Sequence, residues 1–134
     1  MSIRAVVVDD DLPSARAIGR LLEEAGCTVQ ICTDPVSAIP AALEAGVDVV
    51  TLDIRMPRLD GFEVLSLIRS HEHSRRAPSV PVVAVTGSVT PADRASAIAS
   101  GFAAHVAKPV ALEDLQGMLE TVRTLHSEHH RRGR

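Results

Sequence analysis

The sequence predicts an α/β domain whose parallel sheet is covered by helices on both faces. Short apolar runs rich in valine and isoleucine recur at 5–8, 28–32, 47–52, 82–85 and 103–107, separated by helix-length segments. Hydrophobic residues make up 46% of the chain, yet Phe62 and Phe102 are its only aromatics, so the core must be built from Val, Leu, Ile and Ala, which suits a sheet buried on both faces. Strands that alternate with helices imply right-handed crossovers. At 134 residues the chain fits one domain with a core of its own.

The first strand runs into Asp9, Asp10 and Asp11. The helix that follows starts near Pro13 and lines up Ala15, Ile18, Leu22 and Ala25 on one stripe. Cys27 and Cys32 flank the second strand an odd number of residues apart, which points them to opposite faces and predicts reduced, partly buried thiols. Asp34-Pro35 opens the second helix, where Pro40 predicts a kink or a late start. The third strand delivers Asp53, and Asp60-Gly61 reads as a turn and helix start. His71 to Ser79 reads as a long polar loop.

The fourth strand ends at Thr86, and Thr90-Pro91-Ala92-Asp93 reads as N-cap, proline at the first helical position and an acidic first turn. The fifth strand leads to Lys108-Pro109, and the last helix carries the stripe Leu112, Leu115, Leu119 and Val122. Gly26, Gly46 and Gly101 are placed for left-handed helix ends. The expected domain covers 1–125, followed by a basic, disordered tail over 126–134. His126, His129 and His130 have a helical spacing suited to a transition metal, but the same residues also fit a solvated tail.

A net charge of -3, without Trp or Tyr, argues against direct nucleic-acid binding. The start offers no signal-peptide core and no run approaches membrane-spanning length, so no membrane association and a cytoplasmic location are expected.

The polar residues explain themselves on that sheet. In open α/β folds, ligands sit beyond the carboxyl ends of the strands. Asp9, Asp10, Asp53, Thr86 and Lys108 all fall at such ends, from four strands. Lys108 is the one lysine against thirteen arginines, a compact point charge suited to phosphoryl oxygens. Gathered carboxylates repel unless protonated or joined by a cation, and all-oxygen ligands favour magnesium. An aspartate beside that ion can attack phosphorus, with Lys108 neutralising charge and Thr86 donating a hydrogen bond.

The motifs Val8-Asp9-Asp10, then Leu52-Asp53-Ile54-Arg55-Met56-Pro57-Arg58-Leu59-Asp60-Gly61, then Val85-Thr86-Gly87, then Lys108-Pro109 resemble the receiver domain (CheY-like) of two-component response regulators over about 4–125. The resemblance implies a flavodoxin-like (βα)5 three-layer sandwich with strand order 2-1-3-4-5. It implies that Asp53 is the phosphoacceptor, that Asp9, Asp10, Asp53 and the backbone carbonyl of Arg55 hold Mg2+, and that Thr86 is the switch hydroxyl. Lys108 would bind phosphate, joined to its proline by a cis bond. Its implied partners are a histidine kinase or histidine phosphotransfer protein and a downstream target of the fourth helix, fifth strand and fifth helix. A phosphorylation-dependent dimer is also compatible with it. No enzyme activity is implied beyond magnesium-dependent self-phosphorylation and self-dephosphorylation.

Three positions depart from the family pattern. His105 stands where a switch Tyr or Phe is usual, Gly87 where Ala is commoner, and Ala111 where a capping side chain is usual, a loss of roughly 1 kcal/mol. The long polar loop resembles receivers attached to hybrid kinases. Two alternatives stand beside this reading. An aspartate-nucleophile phosphatase of the haloacid-dehalogenase kind needs an Asp where Arg55 stands, and an unphosphorylated interaction domain would be expected to have lost one of the site residues. The chain is read as a lone receiver or as a piece of a longer regulator.

Overall fold

The computed structural model describes residues 2–87 and 90–132, with side chains as far as Leu125. Five strands, β1 (Arg4–Val8), β2 (Thr28–Cys32), β3 (Val49–Asp53), β4 (Val82–Thr86) and β5 (Ala104–Ala107), alternate with five helices, α1 (Leu12–Glu24), α2 (Pro35–Ala42), α3 (Gly61–Arg75), α4 (Pro91–Ala99) and α5 (Leu112–Arg132). The strands are all parallel in the order β2-β1-β3-β4-β5.

The period of two along each strand divides the core. Val6, Val8, Val50, Leu52, Val82 and Ala84 face α2, α3 and α4, while Ala5, Val7, Val49, Val83 and Val85 face α1 and α5. Cys32 joins the first layer and Cys27 the second, both as free, buried thiols, so the sheet itself separates them. Their pKa values are raised, chiefly by burial. Central β3 and β4 are buried throughout. Phe62 of α3 and Phe102, in the connection between α4 and β5, meet edge to face with ring centres 5.6 Å apart.

Local signals account for the helix starts. Asp11, Asp34, Asp60 and Thr90 each accept a backbone N–H in the first turn of the helix they open. Gly26, Gly46 and Gly101 all have positive φ, but Gly46 closes a turn beyond the end of α2 rather than capping it. The late start expected from Pro40 does not occur. The helix begins at Pro35 and spans only eight residues, so it loses one backbone bond to Pro40 and ends soon after.

The expected loop from His71 is also corrected, because α3 continues to Arg75 and ends on a left-handed Arg76. Its last turns are anchored by buried Glu72, which accepts from Arg69 Nη1 at 2.8 Å and from the Val80 backbone N–H at 2.7 Å. α5 runs to Arg132, past the expected boundary at Leu125. The histidine side chains at 126, 129 and 130 and the end of the basic tail lie outside the described residues.

Candidate functional site

Parallel strands end in step, so their carboxyl ends present side chains to a common rim. β1 pairing extends one residue past the strand, where the Asp9 N–H donates to the Cys32 carbonyl. Asp53 is the last residue of β3 and pairs with Val85, and Thr86 ends β4 opposite Ala107. The Lys108 N–H then donates to the Thr86 carbonyl at 2.9 Å, which leaves the lysine side chain at the same rim. The Lys108–Pro109 bond is cis, as the family resemblance implies.

The structure brings Asp9, Asp10 and Asp53 together, with one carboxylate oxygen from each lying within 4.8 Å of the others. Asp9 and Asp53 are buried and Asp10 is exposed. The Asp11 N–H donates to Asp9 Oδ1 at 3.0 Å, and the Arg55 N–H to Asp53 Oδ1 at 3.1 Å. Lys108 Nζ donates to Asp9 Oδ2 at 2.8 Å and reaches Asp53 Oδ2 at 3.5 Å. Thr86 is buried beside this group.

Burial and neighbouring charges both act on the ionisable groups of the rim. Burial pushes the Asp53 carboxyl above its ordinary value; Lys108 and the Arg55 N–H pull it down, and Asp9 adds to the rise. Burial works against the Lys108 charge, but its bond to Asp9 and the charges of Asp53 and Asp9 outweigh it, so the ammonium is held above the ordinary lysine value. The donor set fits a hard divalent cation. Asp9, Asp10 and Asp53 offer one carboxylate oxygen each within 4.8 Å of the others, the all-oxygen ligand chemistry that such an ion takes.

One contact was invisible in the pattern of residue types. A Cβ on Gly61 would fall 2.7 Å from Ile54 Cα and 2.9 Å from the Asp53 carbonyl oxygen, and the Gly61 N–H donates to the Ile54 carbonyl at 2.8 Å. The start of α3 is thereby pressed against the backbone that carries Asp53, an approach open only to glycine. The Asp60-Gly61 pair signalled a turn without showing what the turn touches.

His105 lies apart from the carboxylates, on edge strand β5 beside Ala84 of β4. Both of its ring nitrogens are buried without a hydrogen-bond partner. A larger cleft, of about 720 Å³, opens at the opposite pole of the sheet beside Glu72, Arg69 and Val80, and shares no residue with the carboxylate rim. Among the described residues, no helix is long and apolar enough to cross a membrane.

The family model of the response regulator receiver domain matches residues 5–120. The chain is 34% identical to the response regulator MprA of Mycobacterium ulcerans over 86% of its own length and 47% of that protein. It is 33% identical to the transcription factor SKN7 of Saccharomyces cerevisiae over 85% of its length and 18% of that protein. It thus spans less than half of either relative. A solved neighbour is the co-crystal structure of the Saccharomyces cerevisiae histidine phosphotransfer signaling protein Ypd1 and the receiver domain of its downstream response regulator Ssk1. The match has a TM-score of 0.76 and 26% identity, covering 86% of this chain and 84% of that one. A flavodoxin-like sheet, a carboxylate rim and a family match across most of its length together establish that the chain belongs to the response regulator receiver domain family.

Proposed function

We propose that this domain takes a phosphoryl group from a histidine kinase or histidine phosphotransfer protein onto Asp53 and relays the change to a downstream protein through α4, β5 and α5. The observation that carries the reading is the convergence of Asp9, Asp10 and Asp53 beside the Lys108 ammonium. The receiver similarity to Ssk1, solved with Ypd1, supports a phosphotransfer partner. The unit is read as 1–125, acting in the cytoplasm either alone or within a longer regulator.

Asp53 is the nucleophile. The Arg55 N–H holds Oδ1, which fixes the carboxylate's rotation and turns Oδ2 toward Lys108. One oxygen forms the bond to phosphorus as the donor's phosphorus–nitrogen bond breaks, and that bond's electron pair leaves with the imidazole. Lys108 stays charged and offsets negative charge on the phosphoryl oxygens. Asp9, Asp10, Asp53 and the Arg55 carbonyl would hold Mg2+, which supplies further charge neutralisation when bound. Thr86 then donates to a phosphoryl oxygen, and His105 responds from β5 as the switch residue. The chemistry is self-phosphorylation and self-dephosphorylation, with no other substrate turned over.

Acetyl phosphate with magnesium should add one acid-labile phosphate to the native protein and none to Asp53→Asn, read by intact-mass spectrometry. Equal labelling of the two proteins would remove Asp53 from the role.

A further inference from the structure

The phosphoacceptor chemistry leaves one half-buried titratable group unexplained, its two ring nitrogens out of reach of solvent. His105 lines a cleft of about 280 Å³ between α4 and α5, together with Arg94, Asp114, Gly117, Met118 and Thr121. A neutral imidazole carries one N–H donor and one acceptor nitrogen, and here neither has a partner. Protonation would turn the acceptor into a second unpartnered donor and bury a charge.

The surroundings do not compensate that charge. Among the described residues, the charged groups that act on the ring or line its cleft are Asp93 and Arg94 from α4 and Asp114 from α5, while Ala84 of β4 pairs beside it. Burial first, and Arg94 second, hold the imidazole below its ordinary value, and Asp93 acts in the opposite sense.

We infer that His105 is a proton-sensitive gate on the α4–β5–α5 face: the neutral ring occupies the cleft, and acid drives it out toward solvent. The inference rests on the reading of that face as the signalling surface and adds its regulation. The sign follows from linkage. A ring whose nitrogens are buried and unpartnered takes a proton less readily than an exposed one, so the ring-in conformation is favoured above the ordinary histidine value of about 6.5 and loses ground below it. One pH unit below that value, the ratio of ring-out to ring-in rises by up to roughly tenfold.

The test uses the full chain with magnesium and the phosphate mimic beryllofluoride, followed by NMR between pH 8 and pH 5.5. The His105 ring should titrate below the ordinary histidine value. The apparent beryllofluoride affinity, read from amides of α4 and β5, should fall on acidification by up to roughly tenfold more than in His105→Phe, whose ring does not titrate. Parallel pH profiles in the two proteins, or an ordinary His105 titration, would overturn the gate. Failure of the phosphoacceptor reading looks different, because neither protein would then respond to beryllofluoride at any pH. The ring titration in the native protein needs no variant and decides the gate even if His105→Phe folds poorly.

Discussion

Lys108 Nζ lies 2.8 Å from Oδ2 of Asp9, a carboxylate with 1% of its surface exposed. The approach to Asp53 is longer, at 3.5 Å. The ammonium therefore stabilises the most deeply buried acid of the rim first and leans toward Asp53 second. A lysine that reads from sequence as a phosphate ligand also supplies a partner to a buried aspartate.

Removing that charge should cost stability as well as signalling. Lys108→Met leaves the buried Asp9 side chain with the Asp11 N–H as its remaining hydrogen-bond donor among the described residues, and the expected loss is about 1–3 kcal/mol, since Lys108 is partly exposed. Urea unfolding measures it. An unchanged midpoint would show that the contact between Lys108 and Asp9 contributes nothing to stability.

The opposite is expected at Asp53. Because the Asp53 carboxyl is raised, the native state keeps a proton that the unfolded chain has released between the ordinary value of 3.8 and the raised one. Its contribution to stability is thus present at low pH and lost as pH rises through the raised value. Asp53→Asn should be more stable than the native protein at pH 7 in EDTA, by on the order of 1 kcal/mol, and the gap should narrow as pH falls toward 3.8. A gap that widens on acidification would contradict the assigned sign.

Magnesium should raise the melting temperature of the native protein by relieving the same repulsion. Asp10 is the exposed member of the cluster, so Asp10→Asn should leave the apoprotein's stability within about 0.5 kcal/mol of native and yet weaken magnesium binding. Titration calorimetry gives the comparison. Equal affinities would exclude Asp10 from the site.

At the far end of α3, Glu72→Ala should cost about 2–4 kcal/mol, because it strips the acceptor from a buried Val80 N–H and from Arg69. Glu72→Gln keeps an acceptor oxygen and should lose less. Amide hydrogen exchange at Val80 reports the bond directly, and unaltered protection in Glu72→Ala would refute the anchoring role.

The layered fold was legible because strand and helix write their burial as periods of two and 3.6. Val6 and Val8 against Ala5 and Val7, or Leu115 with Leu119 and Val122, declare their faces without any knowledge of neighbours. The rim could be read for a related reason, since a residue that ends a parallel strand must lie at the sheet's carboxyl edge, wherever its partners are in the chain. Where burial is polar, the signal disappears. The last turns of α3 looked like a loop because their anchor is a charged residue, Glu72, which belongs inside only when Arg69 and the Val80 N–H are already placed. Likewise Gly61 reveals its role only against the Asp53 and Ile54 backbone, and Lys108 its preference for Asp9 only when three strand ends are set side by side. Residue type and local period determined the layers and the edge on which the acids stand. Contacts between segments far apart in sequence decided the distances and the unpartnered imidazole, because hydrogen bonds and burial of charge depend on ångström-scale positions that no local pattern encodes.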